Sequence, residues 1–363
     1  MSYSENNDGS LKEEYHHLIA RRLLVLAVSI AVIILIVGFL SLSVYDNISL
    51  KESYMVIWNH ICGRSYDSVT EARYWWADRY IWNRVIPHAL VAILAGASLA
   101  ICGSLMQPVM NNPLADPYST GISSGACFGA VAALIVGFSF STPFGESGIV
   151  GNAFIGALVP AIIVIILSER IKMTPATLIL TGTAISYFFN SMVTYMMVMA
   201  DPDTIRDAYI WQTGSMDGMT WDSVPVMLVI TILGSIIIMY LSPKLNIMAT
   251  GDNSAISMGV DVHKFRIFSL VIMAVMTAAV VSYTGIIGFI GLVAPHLVRL
   301  IIGSDNKYVI PISMAFGAAL LLIADYIALT ILSIPVGVIM GLIGSPVFFA
   351  LIVWQNKRTG AIY

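Results

Sequence analysis

The sequence predicts an all-α, polytopic membrane protein with ten transmembrane helices. Three observations carry that reading. Of the 363 residues, 58% are hydrophobic and only 11% are charged, whereas soluble domains carry about 25% charged residues. Apolar runs recur ten times, separated by polar segments. Most runs are long enough to cross a bilayer core of about 30 Å as helix, the form in which a chain satisfies its own backbone in lipid.

Taken in order, the runs fall near 22–43, 86–106, 116–137, 151–168, 176–199, 224–242, 265–283, 286–302, 309–332 and 335–354. The first is preceded by an acid-containing segment and followed by no small-residue cleavage site, so it reads as a retained span and not a signal peptide. The domain plan is then a cytoplasmic tail at 1–21, a transmembrane domain at 22–355 and a second cytoplasmic tail at 356–363. Within the domain lie outer loops at 44–85 and 200–223 and an inner segment at 242–266. Twelve of the 18 Lys and Arg residues fall on the side of the termini and six on the other, five of those in one long loop. Cations collect on the cytoplasmic side, so both termini are expected in the cytoplasm, on a multi-pass protein of the cell membrane. Trp58, Trp75, Trp76, Trp82, Trp211 and Trp221 fall on the outer side and Trp354 on the inner, as ring anchors at a lipid–water boundary do. Five spans per half leave room for inverted five-helix repeats, a plan many transporters follow, although "GASLAICG" at 96 and "GAALLLIAD" at 317 share little.

Single spans carry further signals. Ala92, Gly96, Ala100 and Gly103 recur at three- and four-residue steps and mark a face for close helix packing. In "QPVMNNPLADPYSTGISSGA" (107–126), Pro113 and Pro117 end the preceding helix. Asp116 followed by Pro117 is the N-cap and first residue of a new one. Gln107, Asn111 and Asn112 are placed to satisfy backbone groups that the turn frees. The inner segment "SPKLNIMATGDNSAISMGVDVHKFR" (242–266) mixes apolar residues with Gly251 and Gly259, which predicts two short helices joined at glycines and a surface for a partner. The run "GFIGLVAPHLVRLIIG" (288–303) is too short to span: 15 helical residues rise about 22 Å. Asp325 is the one acid well inside a span, and such acids are paired or line water; Arg84 and His88 are the candidate partners.

No chemistry of catalysis is legible. There is no phosphate-binding Gly-x-x-x-x-Gly-Lys and no His-Glu-x-x-His, and the six histidines are scattered. Cys62, Cys102 and Cys127 lie far apart without a Cys-x-x-Cys, so neither a metal site nor a cofactor is expected. A net charge of −3 leaves no footprint for nucleic acid. A transporter with this composition draws its energy from another chain or from an ion gradient, and an ion-coupled carrier should place several charges mid-span, where Asp325 stands alone. A membrane enzyme would need a cluster of reactive residues.

Four segments carry a resemblance. "GASLAICGSLMQ" with "NNPLADPYSTGISSGA", "MATGDNSAISMGV", "GFIGLVAPHLVR" and "PVGVIMGLIGSPVFFALI" resemble the FecCD family of ABC importer permeases, which take up iron–siderophores, haem and cobalamin. The likeness covers roughly residues 80–355. It implies a permease without an ATPase site of its own, working as a homodimer in membrane lipid. Cytoplasmic ABC ATPase subunits would dock on the inner segment, and an extracytoplasmic binding protein would deliver the chelate. By position, Met248, Gly251, Ala255, Met258 and Gly259 would couple to the ATPase, and Thr174, Pro175 and Ala176 would form the inner gate. In two places the chain departs from the family pattern. "RVIPH" (84–88) stands where an Arg-Leu-Pro-Arg is common, and Leu329 stands where an arginine often follows the aspartate. Arg73, Arg79, Arg84 and His88 are then the residues available for docking the binding protein, and an iron–siderophore is the first choice of cargo. His296 reads as structural.

Overall fold

The computed structural model describes residues 5–44, 48–137, 147–171 and 174–359. Every regular element among them is helical. Ten apolar helices correspond one to one with the ten runs. They are α1 (Glu5–Val44), α4 (Ile86–Val109), α5 (Ile122–Val136), α6 (Ser147–Ser168), α7 (Pro175–Val198), α9 (Val224–Tyr240), α12 (Val262–Thr284), α13 (Ile290–Ile302), α14 (Asn306–Tyr326) and α15 (Val336–Thr359). Six are long and apolar enough to cross a membrane outright, and α9 joins them when taken with the bent continuation after it. The chain is a multi-pass membrane protein.

The segments between the spans are more structured than their composition suggests. The stretch 44–85 is not a loop: it holds α2 (Leu50–Ile61) and α3 (Ala72–Tyr80), and α3 runs through a π-helical turn, Ile81–Val85, straight into α4. The stretch 200–223 likewise holds α8 (Pro202–Gln212). The reason is local. Ser49 caps α2 in a capping box with Glu52, and Pro202 opens α8 at a position where its missing N–H costs nothing. At the N-terminus, α1 starts at Glu5, so most of the tail expected at 1–21 continues the first span. Residues 1–4 and 360–363, the ends of both tails, and the side chain of Trp354 lie outside the described residues.

Helices α2 and α3 build a small cap with its own apolar cluster of Ile48, Val56, Tyr66, Ala77 and Ile81. The ring of His60 stacks on Trp82 at 3.9 Å while its Nδ1 lies 2.7 Å from Asp78 Oδ1. Trp221 donates its indole N–H to the Trp82 carbonyl at 2.8 Å. The tryptophans of this face are thus partly a packing device. Trp58 and Trp76 remain exposed, as interfacial anchors must be.

Helix α4 is the centre of the bundle, in contact with α9, α12, α13 and α14. Its small-residue face is where those contacts are closest. A Cβ on Gly96 would meet the Gly317 carbonyl, and one on Gly103 would overlap the backbone of Gly291. Exchanging α4–α7 for α12–α15 maps the packing onto itself. The pair α4–α14 becomes α12–α6, α5–α6 becomes α13–α14, α4–α13 becomes α12–α5, and α5–α7 becomes α13–α15. That is the arrangement an inverted repeat requires. It also explains why 96–103 and 317–325 share little sequence: under this exchange α4 answers to α12, and α14 is its contact partner.

Between α5 and α4 the chain turns as the prolines dictate. Asp116 accepts the Tyr118 N–H at 2.7 Å and caps a 3₁₀ turn, Pro117–Thr120, which leads to α5 through Gly121. The short run at 288–303 resolves in the same manner. Helix α13 has 13 residues, about 20 Å of rise, and 285–289 before it is irregular. Lipid tolerates irregular backbone only where protein surrounds it, and protein does so here. The Tyr118 hydroxyl donates to the Ile287 carbonyl at 3.0 Å, and Ser215 N–H donates to the Thr284 carbonyl at 2.9 Å.

Candidate functional site

The segment 242–266, which the resemblance marks as the expected coupling segment and which is called the coupling face for that reason, packs where α4 ends and α14 begins. It folds as two short helices, α10 (Ser242–Met248) and α11 (Asp252–Ser257), joined at Gly251. Gly251 has φ 101° and ψ 155°, a region that side chains hardly enter. No atom lies within 4 Å of where a Cβ would stand on it, so the backbone angle alone demands glycine there. Met248 and Ala255 are fully buried, whereas Ile256 and Met258 are more than half exposed. The expected coupling residues therefore divide. Met248 and Ala255 face inward and anchor the pair to the bundle. The exposed ledge includes Ile256, Met258 and Gly259, with Asn253, Ser254 and Ser257 beside them.

Two arginines that composition hardly distinguishes hold this ledge in place. Arg266, near the start of α12, has a side chain only 3% exposed. It donates to the Val109 carbonyl from Nε and Nη2 at 3.2 and 3.1 Å, and to Asp252 Oδ1 at 2.8 Å. Asn111 Nδ2 reaches the same carboxylate at 3.3 Å. The C-terminal end of α4 is thereby tied to the first residue of α11. Arg299 on α13 donates to Gln107 Oε1, to the Ser104 carbonyl at 3.2 Å and to Asn306 Oδ1 at 3.2 Å. Asn306 in turn donates to Asn246 Oδ1 at 2.8 Å from both its backbone and its side chain. Asn246 on α10 also donates to Asp305 Oδ1 at 2.8 Å. These contacts join α10, α13, α14 and α4 in one polar network. Gln107, which sequence reasoning assigned to the turn after α4, instead donates to the carbonyls of Gly291 and Leu292. The network's contacts join residues from 7 to 195 positions apart on separate helices, and nothing in the linear pattern pairs them. His296 is buried on α13.

The three residues expected to form the inner gate, Thr174, Pro175 and Ala176, open α7. Thr174 is the N-cap, its hydroxyl accepting the Thr177 N–H at 3.2 Å, and Pro175 is the first helical residue. Helix α7 buries a single stripe, Leu178, Gly182, Ile185, Phe189 and Val193. Its other side exposes Thr183, Asn190, Ser191 and Thr194 beside Tyr187, Phe188 and Tyr195. The hydroxyls of Thr183, Ser191 and Thr194 donate to the carbonyls of Ile179, Tyr187 and Asn190 at 2.9, 2.8 and 2.9 Å, so this side is compatible with lipid as well as with water or another protein.

At the opposite end, His88 Nε2 lies 2.6 Å from Asp325 Oδ2, with both side chains largely buried. Of the two partners that sequence offered for Asp325, the structure brings in His88; Arg84 stays exposed. A π-helical turn flanks each member of the pair, Ile81–Val85 before His88 and Ile327–Leu332 after Asp325. Such turns widen a helix and often accompany functional sites. Residues of both turns line a cavity of about 610 Å³: Asn83, Arg84, Val85 and Leu329, with His88, Asp217 and Thr220 among its other walls. Both departures from the family pattern thus meet in one hollow. Arg73 and Arg79 do not line it. Arg73 pairs with Glu52 at 3.0 Å, and the Arg79 guanidinium lies over the Trp75 ring at 4.4 Å.

The sequence "GISSG" (121–125) does have Gly-x-Ser-x-Gly spacing, but it follows a 3₁₀ turn and not the strand that a hydrolase nucleophile elbow needs. No group of three or more metal-ligating side chains exists among the described residues.

The family model of the FecCD transport family matches residues 25–354. The chain belongs to the FecCD transport family. Several curated relatives cover most of it. The cobalamin import system permease protein BtuC of Halobacterium salinarum is 36% identical, over 74% of this chain and 71% of that protein. The hemin transport system permease protein HmuU of Yersinia pestis is 32% identical, over 85% and 90%. The Fe(3+)-citrate import system permease protein YfmE of Bacillus subtilis is 34% identical, over 75% and 81%. Among solved structures, a metal-chelate type ABC transporter in an inward-facing conformation is similar with a TM-score of 0.74 and 25% identity, over 90% of this chain and 99% of that one. As a FecCD chain it is a transport component, the permease part of an ABC system.

Proposed function

We propose that the chain is the membrane permease of an ABC importer for a metal chelate, with an iron–siderophore as the first candidate cargo and haem and cobalamin as the others. The observation that carries this is the ledge of 242–266. Two short helices joined at a glycine-only angle, anchored from beneath by Arg266 and Asn246, present Ile256 and Met258 outward on a face that a cytoplasmic ATPase can grip. In this reading the coupling face is cytoplasmic, as the distribution of Lys and Arg favours. ATP-driven approach of two such ledges tilts the rigid bundles, and the polar and aromatic side of α7 lines the path between two copies of the chain. Small residues at 174–176 close that path on the cytoplasmic side. The cargo arrives already chelated, so the path needs shape and weak polar contacts and no metal ligands.

The hollow at the opposite end is where a binding protein would dock. Among the described residues Arg84 has no ion-pair partner, while His88 is engaged by Asp325. Docking then relies on fewer cations than the family pattern supplies, which predicts a contact that added salt weakens less.

Capture of the ATPase subunit by the purified permease tests the reading. Gly251→Val should abolish capture and ATP-dependent uptake while the chain still folds and inserts. Full capture by this variant would refute the assignment of the ledge. Uptake of labelled ferric siderophore, haem and cobalamin by reconstituted vesicles then ranks the cargo.

A further inference from the structure

A groove of about 290 Å³ runs between α1 and α14 on the outside of the bundle. Leu24, Val28 and Val32 of α1, Phe316 and Leu320 of α14, and Ile301 of α13 line it. Ser29 is its one polar residue, and its hydroxyl is spent on the Val25 carbonyl at 2.8 Å. Leu24 and Val28 are more than half exposed, so the groove opens to the side and not into the protein.

The end of this groove nearest the coupling face is positively charged. The Arg22 guanidinium lies over the Tyr308 ring at 3.7 Å from its centre, and Lys307 Nζ lies 5.7 Å from the same centre. Val25, Tyr308 and Phe316 pack on the same apolar cluster, so this end and the groove are continuous. Arg22 Nε is buried and has no hydrogen-bond partner. Among the described residues neither cation has a carboxylate within ion-pair reach. The nearest acid in sequence, Asp305, is spent on the Asn246 side chain and the Lys307 backbone N–H. Two cations and an unsatisfied N–H therefore gather on one ring and lack an anion.

The length fits a particular anion. From Arg22 to Val32 a helix rises about 15 Å, which is one leaflet, half of a hydrocarbon core of about 30 Å. We infer that this groove is a binding site for an anionic phospholipid, its phosphate held by Arg22 and Lys307 and one acyl chain lying along α1 and α14. Basic pockets between transmembrane helices hold lipid head groups by the same physics. The site adjoins Asn306 and hence the network that anchors α10, so an occupied groove would brace α14 where it meets the coupling ledge. The inference depends on the chain lying in a bilayer and is independent of its cargo.

Native mass spectrometry of the purified full chain, released from nanodiscs of equal phosphatidylglycerol and phosphatidylcholine, tests it. The wild-type chain should retain phosphatidylglycerol in preference. Arg22→Gln with Lys307→Gln should weaken that retention about 25-fold, five-fold for each charge at about 1 kcal/mol apiece. Arg22→Lys should keep most of it. Val28→Trp fills the groove from its open side and leaves both cations, and it should release the lipid all the same. Equal retention of the two lipids by the wild-type chain would overturn the proposal. So would unchanged retention in both the double variant and Val28→Trp, or a second copy of the chain cross-linking through Leu24→Cys at the groove. Should the double variant fail to fold, Val28→Trp and Arg22→Lys decide between these results.

Discussion

Replacing Arg266 by methionine should loosen the coupling ledge and leave the rest of the bundle in place. The side chain keeps its apolar length, and the contacts to Val109 and Asp252 set a floor on what is lost. Two donors leave the Val109 carbonyl and one leaves Asp252. A hydrogen bond from a charged group is worth about 1.5–3 kcal/mol. Nε and Nη2 share one acceptor, so the Val109 contact counts once, at about 2 kcal/mol. Breaking a fully buried ion pair costs about 3–5 kcal/mol, but the Asp252 side chain is 33% exposed. Solvent screening brings that contribution down to about 1 kcal/mol. The total is about 3 kcal/mol, or a rise of roughly 150-fold in the population of the opened ledge. Asp252→Asn keeps the Val109 contact and loses only the second part, about 1 kcal/mol or roughly five-fold. Amide hydrogen exchange over 249–260 reads both. The two variants should differ in exchange rate by about 30-fold, with residues 86–106 unchanged. Equal exchange in the two variants, or exchange spreading into α4, would show that Arg266 does not act through Val109.

Three further outcomes are expected. Gly103→Ala sets a methyl group against the Gly291 backbone, where no side-chain motion can relieve it. Overpacking of about 1–3 kcal/mol should lower the thermal midpoint in detergent, whereas Gly341→Ala, with open space around it, should not. His88→Ala leaves Asp325 buried without its partner. A loss of about 3 kcal/mol should appear as a lower thermal midpoint, and His88→Asn, which can still donate, should recover part of it. In the cap, Glu52 accepts the Ser49 backbone N–H, the Tyr74 hydroxyl and the Ser49 hydroxyl, with Arg73 beside it, and its pKa falls from 4.5 to about 2. A lowered carboxylate stabilises the fold above pH 4.5, and this is lost as pH falls toward 2. Tryptophan emission from the cap should therefore shift across that window and Glu52→Gln should flatten the change; an unaltered profile in the variant would place the titration elsewhere.

Much of the plan is legible in the linear chain. The ten apolar runs became ten helices because lipid gives the backbone no other partner than itself. Asp116–Pro117 became a cap because an acid and a fixed φ suit a helix start whatever surrounds them. The split of 242–266 into two short helices followed from Gly251, whose angle is local. The cap helices α2 and α3 were not legible. Their mixture of rings and charges makes no stripe, and they fold because they pack on one another, on α1 and on the π-helical turn that follows.

Pairing belongs to the tertiary structure. The sequence restricted the partner of Asp325 to two residues, and the turn of α4 on its axis selected His88. Arg266 and Arg299 look like ordinary basic residues at span ends, and only the convergence of four helices makes them the ties that hold the ledge. Local chemistry reports which residues must be helical or buried, since those demands act on each residue alone. A contact between residues 157 positions apart, such as Arg266 with Val109, depends on how whole helices stack, and no short stretch of sequence holds that information.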